Sequence, residues 1–457
     1  MRLSFLLIEF LLLAAAVAPL ARAKSKESNF SNQSITLQSA FKMDHENKFP
    51  KVLTLKEAER YALAHHPAIK TASYQAKAAT EVVKETLANF FPQLAGSAVF
   101  AEADGGNSRM AATSDSLSNP TILSRESNGL YLSQLITDFG KTAFLTSSSR
   151  FNARSMREQL QVVQEMVLLN VDRTYYAVLR ANELVRLTEQ ETKTNELLKD
   201  RVKALADSNL KSSLDVSIQE ATLAQTRLLM IDAAGHLKET LADLMAAMGS
   251  RDEPDFKLAE DFTIQPLTES SQSFEAKAFS QRPDLIAMRF ERDAALKYAA
   301  AQGAARLPTV SAIAAGGGSP YHEGNLSETY GMIGVNVSIP LFTGGRLTAQ
   351  QKEAQLKAKA VEQQLEDRET LALRDVRTAW INAQTAFKKI QVSKEYLDAA
   401  SKAFDLAQSL YVAGTSSIVE LSQADLQRIQ AQIALINARY EFLTKLSILA
   451  YQIGDLK

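Results

Sequence analysis

The sequence predicts a mainly α with β fold, in which tandem-duplicated long helical hairpins are joined to four β-strands that belong to a shared barrel. Three observations support this fold class. The chain has few helix breakers, with 18 glycines and 11 prolines among 457 residues. Residues 135–249 align without gaps on residues 340–454. Residues 331–339 alternate between apolar and small or polar side chains, as in a strand with one face in lipid.

The composition argues against several classes of protein. Lys and Arg number 51 against 52 Asp and Glu, so no basic face for nucleic acid is expected. The absence of cysteine excludes disulfides, thiolate metal sites and cysteine nucleophiles. None of the five histidines has the spacing of a metal-binding motif such as H-E-x-x-H. We therefore expect no catalytic residue, no metal site and no cofactor, and an exported hydrolase is only a minor alternative.

Residues 1–23 read as a secretory signal peptide. Arg2 supplies the positive start, Phe10 to Ala18 form the apolar core, and Ala21-Arg22-Ala23 fits a cleavage site. The apolar run is shorter than the ~20 residues of a spanning helix. The sequence therefore predicts export, with residues 24–52 as a polar periplasmic N-terminal segment.

The internal repeat defines the expected domains. Asp138-Phe139-Gly140 aligns with Thr343-Gly344-Gly345, and Tyr175 aligns with Trp380. Further upstream, Pro67 and Pro283 occupy matching places. We expect a first structural repeat at residues 53–249, a linker at 250–272 and a second structural repeat at 273–457.

Each repeat is expected to begin with a helix interrupted by proline. The first helix starts near Thr54 or Ser273 and breaks before Pro67 or Pro283, because a residue preceding proline is driven out of the α region. It resumes as far as residue 89 or 306, where a second proline ends it. Two strands joined by a loop follow, and then a very long helix.

The long helices are predicted at residues 142–206 and 347–412. At 1.5 Å per residue each spans on the order of 100 Å, a length typical of coiled-coil packing. Both reverse at a residue that readily takes the left-handed conformation, Asn209 in one repeat and Gly414 in the other. The serines that follow, at 212–213 and 416–417, are suited to cap the returning helices.

The clearest strand is Gly331 to Ile339, with weaker versions at residues 94–101, 129–135 and 309–315. Tyr131, Tyr321 and Tyr330 lie near predicted strand ends, either as an aromatic girdle or as ordinary half-buried packing. Four strands cannot close a barrel, and an open edge in lipid leaves backbone groups unpaired. Several chains must therefore pool their strands, and three would give twelve.

These features resemble the TolC family of outer-membrane efflux and secretion channel proteins, over about residues 50–457. Two pairs of prolines carry the resemblance, Pro67 with Pro283 and Pro92 with Pro308. Three motifs also carry it: IPLFTGGR at Ile339–Arg346, AGTSSIVEL at Ala413–Leu421 and SNLKSSLDV at Ser208–Val216.

The resemblance implies a homotrimer with a twelve-stranded transmembrane β-barrel in outer-membrane lipid and an α-barrel tunnel across the periplasm. It also implies a function, that of a passive exit duct in a tripartite efflux pump or a type I secretion system. The partners would be an inner-membrane transporter and a periplasmic adaptor, or membrane fusion protein. Whether the substrate is a protein, a drug or a metal stays open.

Two sets of site residues follow from the resemblance. Acidic residues after the second turn ring the narrow end of the lumen in that family, and Glu420 and Gln423 hold the matching positions, with Asp215 in the first repeat. The alternative is that Glu420 and Asp215 are first-turn acids favoured by the helix dipole. An arginine that tethers the closed tip in well-known members is Ser416 here. The hairpin tips are the expected adaptor contacts, namely Asn209, Leu210, Lys211, Gly414, Thr415 and Ser416.

One alternative to a channel remains at this point, namely an exported coiled-coil structural or adaptor protein with no pore. It accounts for the long hairpins. It does not account for paired strands at matching places in both repeats.

Overall fold

A computed structural model describes residues 49–101, 125–253, 255–260, 262–322 and 327–456. The predicted signal peptide, nearly all of the N-terminal segment and most of the loop between the first two strands lie outside these residues. In the described part, no helix is both long enough and apolar enough to cross a bilayer.

Each half of the chain contains the same four helices in the same order. The first half has α1 (Leu55–His65), α2 (Pro67–Ala88), α3 (Lys141–Asp207) and α4 (Ser213–Met248). The second half has α5 (Ser271–Gln281), α6 (Pro283–Ala304), α7 (Arg346–Val412) and α8 (Ile418–Ile453). In both halves the lengths are 11, 22, 67 and 36 residues, so the tandem duplication is confirmed helix by helix.

The first turn of α1 and the first turn of α2 are both capped by side chains. Thr54 and Glu57 form a capping box at α1, in which the Glu57 carboxylate accepts the backbone N–H of Thr54 at 2.9 Å. His66 caps α2 through its Nδ1, which accepts the N–H of Ala68 at 3.2 Å. Pro67 then occupies the first helical position, where its missing N–H costs nothing.

Each hairpin ends against the proline break of its own repeat. Gly249 follows α4 with φ 75°, and a Cβ there would come within 2.9 Å of the His66 Cα. Gly454 follows α8 with φ 74°, and a Cβ there would come within 2.8 Å of the Gln281 carbonyl oxygen. Glycine is required at both places, by the left-handed backbone and by the close approach.

The hairpins pack side by side. Helix α3 contacts α4, α6, α2 and α8, while α7 contacts α8 and α6. The buried stripe of α7 is dominated by alanine, which lets helices approach closely: Ala354, Ala358, Ala372, Ala379, Ala383 and Ala386. The predicted helical seams are therefore buried in the chain.

Four strands form one antiparallel sheet in the order β2 (Gln93–Ala101), β3 (Arg125–Thr137), β5 (Thr309–His322) and β6 (Thr329–Ser338). Bulges interrupt the β3–β5 pairing near Glu126 and near Leu135. Among the described residues, no strand lies beside the outer edge of β2 or of β6. All four strands meet the helices at one end of the sheet.

A second, two-stranded parallel sheet pairs β1 (Val52–Leu53) with β4 (Lys257–Leu258), which lies in the predicted linker. The Tyr175 hydroxyl lies 3.0 Å from the Leu53 carbonyl oxygen and 2.8 Å from that of Ala259, and it can donate to either. Its counterpart Trp380 donates its indole N–H to the Glu269 carbonyl at 3.2 Å. Both aromatic residues thus attach the linker to a long helix.

Candidate functional site

The two hairpin tips are built alike. Residue Asn209 has φ 60° and Gly414 has φ 80°, so both turns use the left-handed conformation. Ser212 caps α4 and Ser417 caps α8, each accepting the backbone N–H of the residue three positions later. The returning helices therefore begin at matching positions with the same local chemistry.

The predicted gate acids take part in these caps. Glu420 accepts the backbone N–H of Ser417 at 3.4 Å and the hydroxyl of Ser416 through the same oxygen, Oε2. Asp215 accepts the backbone N–H of Ser212 at 3.3 Å. Both carboxylates thus complete capping boxes in the first turn of their helices. Glu420 and Gln423 are nevertheless exposed, one helical turn apart on α8.

The six nominated docking residues fall into two groups. Three make side-chain contacts within the chain: Lys211 lies 4.0 Å from the centre of the Tyr411 ring, Thr415 donates to the Leu410 carbonyl, and Ser416 donates to Glu420. The other three, Asn209, Leu210 and Gly414, are exposed at the ends of the hairpins. Leu210 is 69% exposed at the end of the first hairpin, so its side chain is available to a partner.

An apolar cluster fastens the two tips to each other. Tyr411 is 3% exposed and lies among buried side chains of α3, α7 and α8: Leu198, Val202, Phe404, Ile418 and Leu421. Burial and the nearby Asp215 raise the pKa of the Tyr411 hydroxyl. The tips are therefore joined within the protomer and move together unless this cluster opens.

Sequence reasoning missed a buried polar network above the tips. The Arg428 guanidinium pairs with both oxygens of Glu191 and lies 2.7 Å from Asp425. Asn195 donates to Asp425 at 3.1 Å, and Gln219 donates to Asn195 at 2.9 Å. We call these five residues the hairpin network. Its members come from α3, α4 and α8, so it ties the first hairpin to the second.

The hairpin network is almost completely shielded from solvent. Glu191 and Asp425 are 1% and 2% exposed, and the Arg428 guanidinium stacks on the Phe404 ring at 4.3 Å. Arg428 follows the start of α8 by ten residues, or about 15 Å. One signal was present in the sequence, because Asp425 and Arg428 stand at the i, i+3 spacing within an otherwise apolar stripe.

The four-stranded sheet has two chemically different faces. Residues opposed in an antiparallel pair project from the same face, so the register assigns every side chain. One face, here the apolar face, carries Leu94, Leu130, Leu132, Ile333, Val335 and Val337. The other, the polar face, carries Gln93, Ser97, Ser133, Ser311, Asn336 and Ser338. The alternation is cleanest in β6 from Ile333 to Ser338, because the polar face also carries Val99, Leu135 and Ile313 from the other strands, and the apolar face carries Gln134.

Two of the three tyrosines lie elsewhere than an interfacial girdle would place them, while Tyr321 pairs with Glu126 in the same row as Phe100, at the end of β5. Tyr131 and Tyr330 project from the polar face, in rows with Ala315 and Gly317. The Tyr330 hydroxyl donates to the Asn128 carbonyl at 3.4 Å, and its ring covers Gly129 and Gly317. Packing within the sheet, the other interpretation of these tyrosines, describes Tyr330 better.

Two carboxyl groups meet where α1 packs on α3, with Glu59 half-buried and Asp172 buried. Burial and the adjacent Asp172 carboxyl raise the pKa of Glu59 to about 8, and burial also raises the pKa of Asp172. Asp172 is 4% exposed and is hydrogen-bonded to Ser447 of α8. A proton shared by the two carboxyls removes the repulsion between them. Among the described residues, no group of three or more His, Asp or Glu side chains is placed to hold a metal.

Comparison with known proteins identifies the family. The family described as Outer membrane efflux protein matches residues 60–250 and 276–454. Outer membrane protein TolC of Salmonella enteritidis is 22% identical over 431 residues, which are 88% of this chain and 83% of TolC. The alkaline protease secretion protein AprF of Pseudomonas aeruginosa is 26% identical over 204 residues, 44% of this chain and 42% of AprF.

The fold is also shared with solved structures. The outer membrane channel CmeC of Campylobacter jejuni superposes with a TM-score of 0.75 at 16% identity, over 95% of this chain and 94% of CmeC. The resemblance inferred from the motifs is thus confirmed by sequence and by fold. The chain belongs to the outer membrane efflux protein family, of which TolC is a member.

Proposed function

We propose that three copies of this chain form the exit duct of a tripartite efflux pump or a type I secretion system. The chain is a Gram-negative outer-membrane channel protein and not an enzyme. In the trimer, each copy contributes four strands to a twelve-stranded barrel and two hairpins to a periplasmic tunnel. Substrate moves outward through the duct without chemical change.

The observation that carries the proposal is the four-stranded sheet with two open edges and one apolar face. The apolar face includes Ile333, which is 92% exposed in the single chain. Such a face is suited to lipid, but in lipid each unpaired edge group costs several kcal/mol. Pairing β6 of one copy with β2 of the next satisfies both edges. Three copies then close a barrel whose strand number is even.

The helices supply the rest of the path. Helices α3 and α7 have 67 residues each, or about 100 Å at 1.5 Å per residue. They leave the same end of the sheet and carry the hairpin tips far from it. Transporter and adaptor are therefore expected at the tips, with Asn209, Leu210 and Gly414 the exposed candidates for adaptor contact.

The narrow end is proposed to be lined by Glu420, with Gln423 and Asp215 beside it. Three copies of an exposed carboxylate around one axis attract cations and repel anions. The capping contacts of Glu420 do not compete with this role, because Glu420 makes them while its side chain stays exposed. The hairpin network holds the tips in one arrangement, and its opening would allow the hairpins to separate.

We infer that the transporter and the adaptor, and not the duct, determine the class of substrate. AprF is by its name a secretion protein, while the family description is of efflux. A passive duct fits both. The exported coiled-coil alternative is not favoured, since the family is one of channels and the two open sheet edges have no role in it.

The test is the mass of the protein extracted from outer membranes in detergent, after subtraction of the bound detergent. We expect a value near three times the mature chain, whose precursor has a mass of 50.1 kDa. A monomer released from the periplasm without detergent would contradict the shared barrel and support the coiled-coil alternative.

A further inference from the structure

The polar face of the four-stranded sheet carries two tyrosines and a methionine toward the end of the sheet that lies away from the helices. Tyr131 of β3 and Met332 of β6 lie in one row, with Ala315 of β5 between them. Tyr330 lies in the next row, two residues from Met332 on the same strand. We call Tyr131, Tyr330 and Met332 the lumen belt, since the proposed function turns the polar face toward the lumen of the barrel.

The Tyr330 ring lies along the surface of the sheet. Its hydroxyl donates to the carbonyl oxygen of Asn128 on β3, and β5 lies between that strand and β6. The ring passes over Gly129 and Gly317, and a Cβ at Gly317 would come within 2.6 Å of the Tyr330 hydroxyl oxygen. Glycine at these positions therefore leaves room for a flat ring, whose other face is turned toward the lumen.

The lumen belt is exposed in a region without fixed charge. Tyr131, Tyr330 and Met332 are 42%, 45% and 49% exposed. Between the two bulges of the β3–β5 pairing, the described residues of the polar face include no Asp, Glu, Lys or Arg. The interior of a transmembrane barrel is usually polar, so two rings and a thioether at one level are a departure from a purely water-filled lining.

Closure of the barrel brings three copies of the lumen belt to the same level. Twelve strands about 4.8 Å apart and tilted by about 40° give a diameter of about 24 Å between opposite backbones. A ring that lies flat on the wall takes up little of this width. The belt can therefore contact a solute in transit without closing the path.

The chemistry of the lumen belt favours a cation that carries an aromatic ring. The face of a tyrosine ring is negative and attracts an ammonium group that lies within about 6 Å of its centre. Aromatic groups stack against such rings, and the thioether of Met332 is suited to contact them as well. The proposed gate at Glu420 attracts cations at the other end of the duct, so both ends select the same sign of charge.

We propose that the lumen belt is a weak binding site for organic cations that carry an aromatic ring. This inference rests on the proposed function, and it names one class of solute that the duct itself recognises, whichever substrates its partners deliver. Binding at such a site has to be weak, because a solute that enters a channel must also leave it. The flat ring of Tyr330 thus covers its glycines and also presents a surface to the solute.

Planar bilayer recording of the full-length trimer tests the lumen belt. Benzyltrimethylammonium chloride is added on the extracellular side, and the fall in mean single-channel current with concentration gives an apparent dissociation constant. Tyr131→Leu and Tyr330→Leu keep an apolar side chain and remove the ring. We expect each to weaken the block about two- to fivefold, and Tyr131→Phe, which keeps the ring, to leave it unchanged. The current without the blocker shows whether each variant still forms the barrel.

Tyr321→Leu is the matched control, because Tyr321 lies in the row of Glu126 and Phe100, on the side of the apolar face. It should leave the block unchanged. No block of the unmodified channel, or equal block in both leucine variants at positions 131 and 330, would overturn the lumen belt as a binding site. Equal block by sodium benzenesulfonate, which has a benzene ring and a negative charge, would overturn the preference for cations. An unmodified protein that forms no channels at all would overturn the proposed function instead.

Discussion

Asn209 and Gly414 occupy the same point of two hairpins, 205 residues apart, and both have a left-handed backbone. The residues after them make the same long turn bond, from the Leu210 N–H to the Leu205 carbonyl at 2.9 Å and from the Thr415 N–H to the Leu410 carbonyl at 3.0 Å. One turn geometry is thus made by two different residue types. Asparagine and glycine are the two types that tolerate it best.

The turn geometry predicts unequal effects of substitution at the two tips. Gly414→Val should destabilise the second tip by about 1–2 kcal/mol, because a branched side chain is strained at positive φ. Asn209→Gly should change the first tip by a few tenths of a kcal/mol at most, because glycine fits the same φ. Hydrogen exchange of residues 410–420 should be faster in Gly414→Val, with residues 205–215 unchanged in Asn209→Gly. Equal protection in both variants would show that the turns do not depend on this conformation.

The hairpin network gives a second prediction, on the stability of the contact between the hairpins and on the channel conductance. Arg428→Met leaves Glu191 and Asp425 buried without their cation, a change that typically costs about 3–5 kcal/mol. The contact between the hairpins should loosen, and the single-channel conductance of the reconstituted protein should rise. Planar bilayer recording checks this.

A matched control for Arg428→Met is present on the outside of the first hairpin. Arg227 pairs with Glu196 at 2.8 Å, but both side chains are largely exposed. Arg227→Met should cost about 0–1 kcal/mol and leave the conductance as it was. An equal rise in conductance in both variants would mean that charge near the tips, and not the buried network, sets the opening.

The sequence predicted most of the fold because single residues end the helices and form the turns through their own local conformation. Pro67 and Pro283 stop a helix by their own chemistry, and Asn209 and Gly414 each reverse one. The repeat then confirmed each such position by its partner. These features require no knowledge of distant contacts.

Distant contacts explain what the sequence did not predict. Glu191 and Arg428 are separated by 237 residues, and each alone looks like a solvated helix position. The sequence left Tyr330 open between a girdle and packing within the sheet, because its face depends on the pairing of β5 with β6, which only the register settles. The open edges of β2 and β6, in contrast, follow from the number of strands, so the need for several copies was foreseeable.

The gate proposal gives a third prediction. Glu420→Gln keeps a side chain that can complete the capping box at the third position of α8, and it removes only the charge. The cation preference of the reconstituted channel should fall, as measured from reversal potentials in a salt gradient, while helix α8 stays folded.

Asp215→Asn is the control for this third prediction, since it removes the equivalent charge from the first hairpin. We expect a smaller loss of selectivity there. Unchanged selectivity in Glu420→Gln would assign Glu420 to capping alone and move the selective ring elsewhere.

The buried carboxyl pair gives a fourth prediction, on pH. The pKa of Glu59 is raised to about 8 in the folded protein, from an ordinary value of 4.5. Between these two values the folded chain binds a proton that the unfolded chain does not, so the free energy of unfolding falls as pH rises. The stabilisation is complete below about pH 4.5 and is lost once the pH passes about 8, the raised pKa of Glu59.

Glu59→Gln should weaken this dependence, because an amide can donate to Asp172 at every pH, while burial still raises the pKa of Asp172. The thermal midpoint of the detergent-solubilised protein, followed by circular dichroism from pH 5 to pH 9, should fall less steeply in the variant than in the unmodified chain. The positive charge of Lys56 lowers the pKa of Glu59, but this effect is weaker than the increase caused by burial and by Asp172. Glu220→Gln, at an exposed position on α4, should leave the profile unchanged. Parallel profiles in all three proteins would mean that the pair is already ionised at pH 5, with its charge compensated by water or by a cation.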